Sequence, residues 1–123
     1  MARKILVVDD ESDIRDELAE YLAHKGYRVV RAEDGSRAWT EFEARRADLI
    51  LTDLRMPRMD GYELIRRVRS RDPDVPIIAI TGQYSSGDLQ LAIAAGATST
   101  AKKPLSLREL GEQIRRLLEP TDE

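Results

Sequence analysis

The sequence predicts an α/β fold in which a doubly wound, five-stranded parallel sheet carries helices on both faces. Three observations lead there. Apolar runs of strand length alternate with amphipathic helical stretches to the end of the chain, the pattern of a parallel sheet with helical crossovers. Carboxylates stand directly behind two of those runs, Asp9 and Asp10 after Ile5-Leu6-Val7-Val8 and Asp53 after Leu49-Ile50-Leu51-Thr52. At 123 residues and 41% hydrophobic content, the chain has the size of one domain and enough apolar surface to bury a core without disulfides. A single domain over residues 1–123 is therefore expected.

The first strand is expected at Arg3 to Val8. A helix follows with Ser12 as N-cap and an inner stripe of Ile14, Leu18, Tyr21 and Leu22, closing at Gly26. Tyr27 to Ala32 reads as a second, valine-rich strand, and Asp34-Gly35 turns the chain into a helix whose stripe is Ala38, Trp39 and Phe42. The third strand, Asp48 to Thr52, reads as the most continuously buried. After the loop Leu54 to Met59, Asp60 and Glu63 have the spacing of a capping box, opening a helix with Leu64, Ile65 and Val68 inward; Asp72-Pro73 stops it.

The fourth strand spans about Val75 to Ile80, and the helix from about Gly87 to Ala95 ends at Gly96. The fifth strand, Thr98 to Lys102, has almost no large apolar residue, which suits an edge. Ser106 and Glu109 form a second capping pair before the stripe Leu107, Leu110, Ile114, Leu117 and Leu118, and Pro120 ends that helix. Right-handed crossovers make the first and third strands neighbours at the centre of a 2-1-3-4-5 sheet. Ligands bind beyond the carboxyl ends of such strands, so Asp9, Asp10 and Asp53 should converge there.

Composition excludes several classes. Lys plus Arg (20) nearly balance Asp plus Glu (23), giving a formal charge of −3, so no field of one sign steers the chain to nucleic acid or a membrane. There is no cysteine, hence no disulfide framework or thiolate metal site. Met1-Ala2-Arg3-Lys4 leads into an apolar run too short for a signal peptide, and no segment approaches membrane-spanning length. A cytoplasmic protein is expected.

The convergent residues have complementary chemistry. Three close carboxylates repel one another, and a divalent cation relieves that. With only hard oxygen ligands at hand, Mg²⁺ or Mn²⁺ suits the site and zinc does not. Asp53, single and central, is the candidate nucleophile, with Asp9 and Asp10 as metal ligands. Thr81, behind Pro76-Ile77-Ile78-Ala79-Ile80, offers a hydroxyl to one phosphoryl oxygen, and Lys103, before Pro104, offers an ammonium to another.

These residues strongly resemble the receiver domain of two-component response regulators, of chemotaxis-receiver type, over essentially the whole chain. The motifs are Val7-Val8-Asp9-Asp10-Glu11, Thr52-Asp53-Leu54-Arg55-Met56-Pro57, Met59-Asp60-Gly61, Thr81-Gly82, Gly96-Ala97 and Lys103-Pro104. The resemblance implies a flavodoxin-like fold and phosphorylation of Asp53 by a sensor histidine kinase or phosphotransfer protein. It implies Mg²⁺ held by Asp10, Asp53 and the main-chain carbonyl of Arg55, with Asp9 acting mostly through a metal-bound water, and a cis peptide before Pro104. Output would pass to a downstream protein or effector domain, through a face near Leu89, Ile93, Lys102 and Leu107. Receiver domains usually carry Tyr or Phe where this chain has Thr100, so a coupled ring rotation does not transfer. The loop Gly82 to Gly87, through Tyr84, is the expected responder instead. Arg55 and Gln83 flank the path of attacking water in the family and are expected to set the lifetime of the acyl phosphate.

Other readings are blander or compete. His24, near a helix end, is expected to be exposed. The arginines at 66, 67, 69 and 71 alternate with no aromatics and read as a solvated helix face, while Trp39 reads as core. An aspartate-nucleophile phosphohydrolase would want a second acid two residues after Asp53, where Arg55 stands. A pseudo-receiver acting only by binding would not need the complete set of site residues. The chain is expected to turn over no external substrate, acting only on its own aspartate.

Overall fold

The computed structural model describes residues 2–82 and 86–119. Among them, five strands, β1 (Lys4–Val8), β2 (Arg28–Ala32), β3 (Leu49–Asp53), β4 (Ile77–Thr81) and β5 (Ser99–Lys102), alternate with five helices. These are α1 (Ser12–His24), α2 (Gly35–Ala44), α3 (Gly61–Arg71), α4 (Ser86–Ala95) and α5 (Leu107–Leu118). Every strand pairing is parallel and the order is β2-β1-β3-β4-β5, the predicted topology.

The sheet has a core on each face because strand side chains alternate sides. Leu6, Val8, Ile50, Ile77 and Ala79 point to one side, where Phe42, Leu64, Ile65, Val68 and Ala92 from α2, α3 and α4 cover them. Ile5, Val7, Leu49, Leu51, Ile78 and Ile80 point to the other, against Leu18 and Leu22 of α1 and Leu110, Ile114 and Leu118 of α5. Burial on both faces explains why these strands read as unbroken apolar runs. β4 is as completely buried as β3, so β3 is not alone in that respect. β5 lies at the edge, in keeping with its small, polar residues.

Caps set the helix starts. Asp34, Asp60 and Ser106 each accept a backbone N–H three residues on, from Arg37, Glu63 and Glu109. Helix α1 corrects the expectation at Ser12: the N-cap is Glu11, without a side-chain cap bond, and Ser12 is already helical. The Asp9 carboxylate accepts the Glu11 N–H at 2.9 Å, so the site's own acid organises that turn. At the other end, Gly26 takes φ +100° and the Tyr27 N–H reaches back to the Leu22 carbonyl, a closure that favours glycine.

Gly61 is required by close approach. A Cβ there would collide with the Asp53 carbonyl oxygen and lie 2.8 Å from Leu54 Cα. These neighbours are backbone and cannot rotate away, so Gly61→Ala is expected to cost about 3 kcal/mol. Urea unfolding checks this; an unchanged midpoint would contradict the packing. His24 is exposed and Trp39 packs against the core, as expected. Arg69 departs from the solvated-face reading, since it binds the Gly96 and Asp72 carbonyls and Thr98. No helix among the described residues is long and apolar enough to cross a membrane.

Candidate functional site

The carboxyl ends of β1, β3, β4 and β5 bring the chosen residues together. Asp9 follows β1, Asp53 ends β3 and Thr81 ends β4, while Lys103 follows β5 and donates its backbone N–H to the Thr81 carbonyl at 2.9 Å. One carboxylate oxygen from each of Asp9, Asp10 and Asp53 lies within 4.8 Å of the others. Asp9 and Asp53 are buried; Asp10 faces solvent. The peptide bond between Lys103 and Pro104 is cis.

The Lys103 ammonium sits among acids, 3.2 Å from Asp53 Oδ2, 3.6 Å from Asp9 Oδ2 and 3.0 Å from Glu11 Oε1. Burial pulls its pKa down, but the Glu11 hydrogen bond and the Asp53 and Asp9 charges outweigh that and hold it above the usual lysine range. It is therefore charged at any physiological pH. The other Asp53 oxygen, Oδ1, accepts the Leu54 N–H at 2.8 Å, which fixes the carboxylate and leaves Oδ2 toward the lysine.

Among the described residues, two buried side-chain polar atoms lack a hydrogen-bond partner, Asp9 Oδ2 and Thr81 Oγ1. Unsatisfied buried groups are rare because each costs its desolvation, and both lie at this site. An all-oxygen acid cluster with an orphaned carboxylate oxygen fits a hard divalent cation. An orphaned hydroxyl beside a lysine fits a bound oxyanion.

Burial raises the Asp9 carboxyl from its ordinary 3.8 to about 6; the Glu11 N–H and Lys103 oppose that, and the Asp53 charge adds to it. A folded-state value above the ordinary one means that the folded chain binds this proton more tightly than the unfolded chain. Stability from this group is thus gained as pH falls through about 6 toward 3.8, by up to about 3 kcal/mol. Without added divalent ion, the native chain should gain melting temperature between pH 7 and pH 5 relative to Asp9→Asn. Parallel pH profiles for the two proteins would contradict it.

Sequence reasoning quoted Glu11 only within a motif and gave it no part, yet it binds Lys103. It missed Asp88 altogether. This buried residue in the first turn of α4 accepts from Arg55 Nη2 at 3.1 and 3.2 Å and from the Tyr62 hydroxyl at 2.6 Å. Its only signal was an acid near a helix start. Arg58, with φ 69°, pairs with Asp34 at 2.7 Å and so fastens the β3–α3 loop to the cap of α2. Gln83 and Tyr84, at the centre of the expected responder loop, lie outside the described residues, whereas Ser86 and Gly87, expected as its end, already belong to α4.

The chain matches the family model of the response regulator receiver domain over residues 5–115, and it belongs to that family. It is similar to the response regulator MprA of Mycolicibacterium vanbaalenii, 38% identical over 121 residues, 98% of this chain and 52% of that protein. MprA of Mycobacterium bovis is likewise 38% identical over 121 residues, 98% of this chain and 53% of that protein. The chain thus spans about half the length of the curated relatives it matches. Among solved structures, the chemotaxis response regulator CheY4 of Vibrio cholerae has a TM-score of 0.89 at 34% identity, covering 96% of this chain and 100% of that one. NtrX of Brucella abortus has a TM-score of 0.90 at 32% identity, covering 96% of this chain and 27% of that one. The fold is the flavodoxin-like arrangement of these receivers.

Proposed function

We propose that the chain is a phosphoacceptor signalling switch in which Asp53 receives a phosphoryl group from a sensor histidine kinase, a phosphotransfer protein or a small phosphodonor. The observation that carries this reading is the orphaned Thr81 hydroxyl and the Lys103 ammonium, 3.2 Å from Asp53 Oδ2, meeting beside the acid cluster. An Asp53 oxygen attacks phosphorus, forming an acyl phosphate as the bond to the donor breaks and its electron pair leaves with the donor group. Lys103 neutralises one equatorial oxygen and Thr81 donates to another. Asp9, Asp10, Asp53 and the main-chain carbonyl of Arg55 would hold Mg²⁺, or Mn²⁺ in its place. The ion would supply charge neutralisation at the transferring oxygens.

On this reading residues 1–123 are one receiver domain working in the cytoplasm, and it turns over no external substrate. Phosphorylation alters how it engages a downstream protein or effector domain, the face near Leu89, Ile93, Lys102 and Leu107 being the candidate contact. Neither nucleic acid nor membrane is bound directly. The test is incubation with acetyl phosphate, with and without Mg²⁺, followed by intact mass. A Mg²⁺-dependent gain of one phosphoryl supports the switch. No gain would favour a binding module, and turnover of a phosphoester without an adduct would favour a phosphohydrolase.

A further inference from the structure

Arg58 has a positive φ of 69°, the only non-glycine among the described residues to do so. Left-handed backbone is unfavourable for an L-residue and persists where the surroundings impose it. Here a buried acid imposes it: Arg58 Nε and Nη2 both lie 2.7 Å from Asp34 Oδ2, while Asp34 Oδ1 takes the Arg37 N–H at the start of α2. We propose that Arg58 is a positioning residue of the metal site, its bond to Asp34 fixing the β3–α3 loop that supplies the Arg55 carbonyl. This rests on the reading of that carbonyl as a ligand of Mg²⁺.

Both ends of the loop are anchored by backbone. The Leu54 carbonyl accepts the Gly61 N–H at 2.9 Å, and the Met59 carbonyl accepts the Gly35 N–H at 3.0 Å. Between them, residues 55–58 make no backbone–backbone hydrogen bond among the described residues, so side chains fix their course. Met56 packs against the core and Arg55 reaches Asp88, but neither contact sets the torsions at Arg58. The Asp34 bond does. It joins an arginine side chain 64% exposed to an acid only 4% exposed, so Asp34 is the fixed post and the loop is what it holds.

Loss of the tie acts toward the site. Without it, residue 58 favours the negative φ that L-residues prefer. The far side is pinned at Met59 and by the Asp60 carboxylate on the Glu63 N–H, so the near side takes up the change. Pro57 has its own φ set by its ring and keeps Met56 extended, which leaves few torsions to absorb a rotation before Arg55. The displacement therefore falls on the residue two beyond Asp53. Because Met56 and the Arg55 side chain keep their own contacts, the loop is loosened and not unfolded.

Calorimetric titration of Mg²⁺ alone into the whole chain tests this, because charge and position predict opposite signs. On charge alone, removing a cation makes a divalent ion bind more tightly. Arg58→Ala should instead raise the Mg²⁺ dissociation constant roughly tenfold, as loss of a partner behind a metal ligand does. Arg58→Gly, which tolerates the positive φ without the tie, should raise it by about threefold, and Arg58→Lys, whose ammonium can still bond Asp34, by less. With acetyl phosphate, Arg58→Ala should label slowly at low Mg²⁺ and recover the native rate at saturating Mg²⁺. If the native chain binds Mg²⁺ and Arg58→Ala binds it equally or more tightly, the positioning role is wrong while the metal site stands. If the native chain binds no Mg²⁺, the metal reading falls and this inference with it. Should Arg58→Ala not fold, the native chain, Arg58→Lys and Arg58→Gly decide by the same titration, and equal affinities among them overturn the proposal.

Discussion

Asp53→Asn is expected to abolish phosphoryl uptake entirely while leaving the fold in place. The amide is nearly isosteric, and its oxygen can still accept the Leu54 N–H that now bonds Oδ1 at 2.8 Å. The other position then presents an NH₂ group, which is no nucleophile and which donates toward the Lys103 ammonium instead of accepting from it. Lys103 keeps Glu11 at 3.0 Å and Asp9 at 3.6 Å, so the site is not emptied of charge pairing. The expected result is complete loss of the mass gain from acetyl phosphate with a cooperative thermal transition retained. An adduct of undiminished yield in this variant would place the acceptor elsewhere.

Lys103→Ala should produce the second largest effect, and its signature has two opposing parts. Removing one preorganised charge from a transferring oxyanion typically costs 10²–10³ in rate, so labelling should fall by roughly that factor. The same change leaves Asp9, Asp53 and Glu11 without their shared cation, and the like charges that remain attract a divalent ion more strongly. Mg²⁺ affinity should therefore rise while phosphoryl uptake falls. Calorimetric titration and labelling kinetics on one preparation read both quantities. Parallel losses of affinity and rate would mean that Lys103 organises the acid cluster and does not serve the phosphoryl group.

The three central strands were legible because β1, β3 and β4 are buried on both sides and read as apolar runs; the carboxylates behind β1 and β3 followed from where parallel strands end. The order of strands followed from crossover handedness, since no single residue encodes it. Boundaries were less legible. Ser12 has the chemistry of an N-cap, but Asp9 takes the Glu11 N–H and starts the helix a residue early. The arginine tract read as one solvated face, yet Arg69 turns to the Gly96 carbonyl of the α4–β5 connection, a tertiary contact that local sequence does not announce. Asp88 escaped notice for the same reason: Arg55 and Tyr62, which bind it, are 33 and 26 residues away. Residues that chemistry requires at strand ends could be found from pattern, whereas those that link one loop to another emerged only from packing.

The central claim is that one aspartate among three neighbouring acids captures phosphorus. Treating the protein with acetyl phosphate and Mg²⁺, reducing the acyl phosphate with borohydride and mapping the product by peptide mass assigns the bond directly. The expected result is homoserine at position 53 alone. Reduction product at Asp9 or Asp10, or none in protein that has gained the mass of a phosphoryl group, would contradict the account.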